Sequence, residues 1–402
     1  MTEDIRRTKF SLLWMNLAAE PLVALYTLIP FLLRKEFGSS MFQISLFLTL
    51  RPVLSLFSFY WSAYVKERKG HLVWNYVSAS VLAYLPFLFF PWAGGFWFLL
   101  LASGLYQLFS KAAIPSLIEV LKRKLPKSVR EKTFSLLFVL SFVESGILGL
   151  LFGGLLDTKS VGWSTLFCAG GLLGLTGLLF FSSLKVPVMQ EEKPPLTHWT
   201  KPWKESFQLM RDNPSFAYFQ KIFMFGGSAL MLILPATSAY YADILQLSYT
   251  NVVTARFVFM AVGIALSSFL WAKGLSQVPI LKLTVGVLCG FGLFPLCLLG
   301  TLWNPSFLYL AFFLYGVAQA GSHLIWNLSG TLFAGGENSL PYTRANLLMH
   351  ALRGAVVPLI GGFLCDLTSP IVVLALGATL CLYGAKVLWQ KLPVQELPHP
   401  RS

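Results

Sequence analysis

Residues 115–167 read PSLIEVLKRKLPKSVREKTFSLLFVLSFVESGILGLLFGGLLDTKSVGWSTLF. Six cations, Lys122, Arg123, Lys124, Lys127, Arg130 and Lys132, lead into a run from Thr133 to Leu156 whose only charged residue is Glu144. A helical bilayer crossing takes about 20 predominantly apolar residues. The run therefore reads as a crossing, and the cations as a short loop held on one side of a membrane. The same alternation of apolar run and short loop continues in both directions along the chain.

Composition points the same way. Of the 402 residues, 56% are hydrophobic and only 12% charged, against about 25% charged in a soluble domain. That excludes a disordered chain and an ordinary soluble enzyme. The net charge of +14 sits in loops between apolar runs, which argues against a nucleic-acid partner. Cys168, Cys289, Cys297, Cys365 and Cys381 lie in or beside apolar runs and none has zinc-ligand spacing. They read as small packing residues, with no metal or other cofactor implied. There is no H-E-x-x-H, P-loop or G-x-S-x-G, so the chain reads as neither an enzyme nor an ATP-driven pump.

Twelve runs are legible: Phe10–Leu33, Met41–Val65, Leu72–Phe90, Phe96–Leu121, Thr133–Leu156 and Trp163–Leu184, then Phe216–Ala242, Thr250–Ala272, Ile280–Leu302, Phe307–Phe333, Tyr342–Cys365 and Ile371–Leu388. The first is too long for a cleaved leader and lacks an A-x-A site, so it reads as a retained helix. Cations gather before helix one (Arg6, Arg7, Lys9) and after helix two (Lys66, Arg68, Lys69). They gather again after helices four and six, whereas alternate loops are nearly bare. The positive-inside rule then puts both termini in the cytoplasm of a cell whose inner or plasma membrane holds the chain.

Residues 185–213 form the one sizeable hydrophilic stretch, a linker carrying Pro187, Pro194, Pro195 and Pro202. Trp203, Phe207 and Met210 fall on one helical face there, as in a helix lying on a membrane surface; an ordinary packed linker fits equally. The expected domains are a six-helix bundle over 1–184, the cytoplasmic linker over 185–213, and a second six-helix bundle over 214–402. An internal repeat relates the bundles. Ile29-Pro30 and Arg51 recur as Leu234-Pro235 and Arg256, Ser58–Trp61 recurs as Ser268–Trp271, and Gly146, Gly153-Gly154 and Asp157 recur as Gly354, Gly361-Gly362 and Asp366. Such a repeat suggests bundles related by a pseudo-twofold along the membrane normal.

The order Pro115, Glu119, Pro126, Arg130, Ser135, Gly146, Gly149, Gly153-Gly154, Gly162-Trp163, Phe167 resembles the helix-four-to-six signature of the major facilitator superfamily. The stretch Ala63 to His71 resembles a degraded copy of that family's G-x-L-A-D-R-x-G-R motif, with Ala63 for the first Gly, Glu67 for the Asp and His71 for the last Arg. The family's basic residue early in helix four has no counterpart, since Ser103 stands there. The resemblance implies an all-α membrane fold of twelve helices and alternating access to a midplane site. It also implies a gate on the cytoplasmic side at Glu67, Arg68 and Arg130; a solvated basic loop fits those three equally.

An ionisable side chain inside a membrane costs about 2.5–3.5 kcal/mol on insertion scales, which makes each one a functional candidate. Glu20 shares a helix-one face with Asn16 and Thr27, and Glu144 lies between Ser141 and Ser145. These two carboxylates are the candidate proton sites. Candidate substrate-binding residues are Arg51, Gln107, Lys111, Arg256, Gln319, His323, Asn327, His350 and Arg353. Glu20 can instead pair with Arg51, and Glu144 with Lys111, while Arg51 and Arg256 can simply tie helices together. The excess of cations suggests a polar, anionic solute. The reading is a secondary transporter, monomeric, whose partners are a small-molecule substrate, the lipid bilayer and protons. An exporter of drugs or lipophilic compounds, or a non-transporting sensor or assembly protein on the same scaffold, are the alternatives.

Overall fold

A backbone surrounded by lipid has no water to satisfy its N–H and C=O groups, so each crossing must satisfy its own. The computed structural model, which describes residues 3–67, 72–184, 186, 201–334 and 339–391, is helical in the way that this demands. Among the described residues there is no β-strand. Eleven helices among the described residues are long and apolar enough to cross a membrane, and Met41–Leu56 supplies a shorter apolar stretch.

The helices are α1 (Glu3–Tyr26), α2 (Ile29–Lys35), α3 (Met41–Glu67), α4 (Leu72–Tyr84), α5 (Phe96–Lys124), α6 (Lys127–Asp157) and α7 (Trp163–Ser182). They continue as α8 (Lys201–Asp212), α9 (Pro214–Ala239), α10 (Tyr249–Val253), α11 (Met260–Gln277), α12 (Ile280–Gly300), α13 (Phe307–Ala334), α14 (Leu340–Leu367) and α15 (Pro370–Lys391). The first run expected as one helix is broken at Thr27 and Leu28 into α1 and α2, because Pro30 brings no N–H and constrains the residue before it. Pro86 similarly tightens the end of the third crossing into a 3₁₀ segment, Leu85–Phe89. The eighth crossing runs from α10 through a π-helical turn, Thr254–Phe259, into α11. A second π turn, Tyr240–Ile244, ends the crossing that α9 begins.

The chain forms two compact units. One comprises Met1–Ser39, Val53–Pro195 and Ser248–Val253; the other comprises Ser40–Pro52, Leu196–Leu247 and Thr254–Ser402. In the first, α1 packs along α7 and α4 along α5, around Leu12, Val77, Ala113, Val120 and Phe181. In the second, α12 packs along α13 and α15, and α9 along α14 and α15, around Phe216, Phe219, Leu288, Phe291 and Ala345. Lipid offers helices no hydrophobic reason to associate, so small residues set their approach. At the α11–α13 crossing, a Cβ on Gly263 would overlap the Phe313 carbonyl, and one on Gly316 would overlap that of Met260.

The linker region holds α8, which packs on α9 and α14. Its faces differ from the expected stripe. Ser206 is buried and Leu209 and Met210 pack into the core of the second unit, while Phe207 points outward. Most of the linker itself, residues 185 and 187–200, lies outside the described residues.

Candidate functional site

In the first unit, polar side chains converge where α1 meets α6. Asn16 donates to Ser141 Oγ at 2.7 Å, and the Ser145 hydroxyl donates to the Glu20 carboxylate. Ser141 and Ser145 are one turn apart on α6, as Asn16 and Glu20 are on α1, so two matched faces meet. Glu20 is only 7% exposed. Glu144 lies within electrostatic reach of Glu20, and its Oε2 is buried without a hydrogen-bond partner among the described residues. Two carboxylates and two serine hydroxyls thus share one small region. Burying a carboxylate oxygen without a donor is costly, and a bound proton would relieve that cost.

Aromatic hydroxyls border this region. Tyr84 is within electrostatic reach of Glu20, and the Tyr106 ring sits 6.1 Å from Tyr84 and 5.1 Å from Tyr26. Room for Tyr84 comes from Gly174 on α7, where a Cβ would come within 2.8 Å of the ring. On α5, Gln107 and Ser103 are buried, and the Ser103 hydroxyl has no partner among the described residues. Lys111, one turn beyond Gln107, is half-buried.

The second unit holds cations in place of carboxylates. Arg353 on α14 is 7% exposed. Its Nη1 donates to the Phe223 carbonyl at 2.9 Å and its Nη2 lies 3.2 Å from His350 Nδ1, while Nε has no partner among the described residues. Gly227 creates the space, since a Cβ there would coincide with the guanidinium. The His350 ring packs 5.6 Å from Trp326, which stacks on Phe223. Arg51 lies within electrostatic reach of both His350 and His323. Two arginines and two histidines therefore converge, and α3 up to Pro52, the helices α9, α10, α11, α12 and α13 themselves, and α14 as far as Cys365 contain no Asp or Glu, while Asp243 stands in the π turn after α9.

One turn and more along α14, Asn346 takes a hydrogen bond from Gln220 and gives one to Ser329 Oγ at 2.8 Å. Arg256 occupies the π turn before α11, and π turns inside helices are frequent at functional sites. It is exposed, within electrostatic reach of Tyr241 and Tyr315, and the Tyr315 hydroxyl takes a hydrogen bond from Gln319. His323 and Asn327 are exposed on α13.

The residues singled out from sequence thus sort into two groups. Glu20, Glu144 and Gln107 belong to the first unit with Lys111; Arg51, Arg256, Gln319, His323, His350 and Arg353 belong to the second with Asn327. Glu20 bonds to Ser145 within its own unit, whereas Arg51 belongs with the histidines of the other. Of the gate residues, Arg68 and the Glu67 side chain lie outside the described residues, and Arg130 is half-buried in the first turn of α6. Sequence reading missed Gln220, Ser329, Tyr84 and Tyr315. Ser329 carried a signal as a polar residue within an apolar helix, but Gln220, near the start of α9, and the tyrosines did not.

Comparisons with known proteins agree with this architecture. The family model described as Major Facilitator Superfamily matches residues 22–339. The solved nucleoside transporter NupG superposes with a TM-score of 0.72 at 14% identity, over 95% of this chain and 98% of that one. A POT family transporter in complex with a thioalcohol-conjugated peptide gives 0.69 at 12% identity, over 97% and 96%. A bacterial homologue of the human lysosomal transporter Spinster, solved inward-facing and unoccupied, gives 0.64 at 13% identity, over 98% and 96%. No curated protein matches the chain. At these identities the structural likeness is one of fold, but the family model spans most of the sequence and agrees with the helices and the glycine-lined crossings. The chain belongs to the Major Facilitator Superfamily.

Proposed function

We propose that the chain is a secondary transporter that moves a small polar, anionic solute by alternating access, coupled to protons. Arg353 carries this reading: a buried guanidinium whose Nε has no partner among the described residues, on a stretch of α14 with no Asp or Glu before Asp366. A buried cation demands a counter-charge, and a solute carboxylate or phosphate supplies one bidentately. His350, His323 and Arg51 add donors around it. Glu20 and Glu144 serve as the proton sites, because each can be neutralised by the ion whose gradient drives the cycle. The family and its transporter neighbours indicate a transporter and not an enzyme.

The test is uptake of candidate organic anions into proteoliposomes with and without a pH gradient. Candidates come from a thermal-stabilisation screen, since a ligand that binds the folded state raises apparent stability. Uptake that depends on Arg353 and on the gradient is the expected result. Anion uptake unchanged in Arg353→Gln overturns the anion reading.

A second reading, export of lipophilic compounds, is supported by Tyr84 near Glu20 and the rings of Tyr106 and Tyr26 that follow it, because a carboxylate next to rings suits an organic cation. Stabilisation by such cations and not by anions would select it. Both readings place the termini and the basic loops in the cytoplasm of a cell membrane. Labelling of single cysteines at Thr197 and Ser402 from inside only is the expected outcome. The gate at Glu67, Arg68 and Arg130 rests on the resemblance of the Ala63–His71 stretch to the family's motif, and Glu67→Ala should slow transport while sparing ligand affinity.

A further inference from the structure

The internal repeat matches Arg51 with Arg256. Both side chains are exposed, and neither makes an ion pair among the described residues. Both belong to the second unit, where they mark two different levels of α13. Pro52 fixes the level of Arg51, because a Cβ on Gly354 of α14, the residue after Arg353, would press on the Pro52 ring. At the same level α14 meets α13 through the His350 and Trp326 rings, 5.6 Å apart. Arg51, Arg353, His350 and His323 therefore make up one anion-seeking pole, in which Arg353 Nε has no partner among the described residues.

Arg256 marks the second pole. Its π turn leads into α11, whose Met260 carbonyl lies against Gly316 of α13, and the Phe259 ring packs 4.7 Å from that of Tyr309. Arg256 thus stands at the level of Tyr315, within electrostatic reach of it and of Tyr241. Tyr315 and His323 lie about 12 Å apart along α13, at a rise of 1.5 Å per residue. Gln319 stands midway on the same stripe and donates to the Tyr315 hydroxyl. The Tyr315 proton is therefore free to point at another acceptor. From Tyr315 to His323 there is no Asp, Glu, Lys or Arg, and Gly316, Ala318, Ala320 and Gly321 keep the stretch slim.

One anionic group cannot answer both poles. Placed at either, it leaves the other guanidinium uncompensated in an apolar setting, which is costly. We propose that the solute is an extended organic dianion, with acidic groups at opposite ends of an uncharged spacer: Arg353, Arg51 and the histidines hold one end, and Arg256 with Tyr315 holds the other. The inference rests on the reading of an anion at Arg353 and adds to it a second charge and a length. Once one acidic group is held, the second binds intramolecularly, at an effective concentration set by the spacer. A spacer that is too short cannot span the poles, and one that is too long loses the advantage to its own freedom. Affinity therefore has an optimum in length.

The test is thermal stabilisation of the full chain in detergent by straight-chain α,ω-dicarboxylates from malonate to sebacate, each set against the monocarboxylate of equal length. Apparent affinity should peak at an intermediate length and there exceed that of the matching monocarboxylate by about a hundredfold. Arg256→Gln should bring the best dicarboxylate down to the level of its monocarboxylate, so that the preference for two charges disappears. Arg256→Lys keeps the charge and loses the planar fork. It should show a reduced preference, and it replaces the Gln variant should that fail to fold. Dicarboxylates no tighter than monocarboxylates at every length, or a preference that survives undiminished in Arg256→Gln or in the Lys variant used in its place, would overturn the proposal and leave the anion reading standing. Stabilisation by neither series would remove the anion reading as well, so the two failures are distinguishable.

Discussion

The two units solve the problem of buried polarity with opposite chemistry. The first places carboxylates and hydroxyls together, Glu20 and Glu144 among Ser141, Ser145 and the tyrosines. The second places guanidinium and imidazole groups together, Arg353 and Arg51 among His323 and His350. A carboxylate in an apolar setting can shed its charge by taking a proton, whereas an arginine cannot lose its own. The first region is therefore suited to gaining and losing protons, and the second to a standing demand for an anion. The internal repeat hides this contrast, because it aligns proline, glycine, arginine and aspartate positions and has no place for Glu20 or Glu144.

The sharpest way to break the contrast is at Arg353. Arg353→Gln should lower anion uptake by at least about thirtyfold, the loss expected for truncating one partner of a buried charged contact. Initial-rate assays in proteoliposomes measure it, and an undiminished rate would move the anion site elsewhere. Glu20→Gln acts on the other side. It should abolish accumulation driven by a pH gradient while leaving solute exchange at equal pH intact. Loss of both activities together would make Glu20 a structural or solute-binding group.

A smaller effect sharpens the picture around Arg353. Gly227→Ala puts a methyl group where the guanidinium lies. It should weaken ligand-induced thermal stabilisation by roughly tenfold in apparent affinity and cost about 1–3 kcal/mol of stability through overpacking. The smallest change is expected at Asn346. Asn346→Ala removes the group between Gln220 and Ser329, which should cost about 1–3 kcal/mol for the stranded polar atoms. Thermal unfolding in detergent reads that loss, and proton coupling should be untouched.

Much of this was legible in the sequence. Apolar runs gave the crossings because lipid imposes one length and one backbone solution on all of them. Glu20, Glu144, Arg353 and His350 stood out because charge is rare in such runs. Their partners were harder. Asn16 meeting Ser141 and Gln220 meeting Asn346 join residues more than a hundred positions apart, and no local period records which faces of two helices meet. Gln220 also lies near the start of α9, where polarity is cheap and attracts no notice. The tyrosines passed as apolar residues. The pairing of Glu20 with Arg51 looked natural on charge alone, yet Glu20 is served by a serine hydroxyl and Arg51 keeps company with histidines. The hydrogen bonds that Asp157 takes from Tyr249 and Thr250, and Asp366 from Met41 and Phe42, were invisible because their donors are backbone N–H groups, which every residue except proline carries.

The π turn at Thr254–Phe259 has a consequence for the length of its crossing. It carries one residue more than an α-helical path would need, and each residue of an α-helix advances the surface by about 100°. Taking up the turn as regular helix would swing Gly263 away from Phe313 and bring a bulkier side chain onto the α13 crossing. Removing one residue there absorbs the surplus and leaves Gly263 facing Phe313 as before. This stretch should accordingly tolerate a single-residue deletion better than any substitution at Gly263.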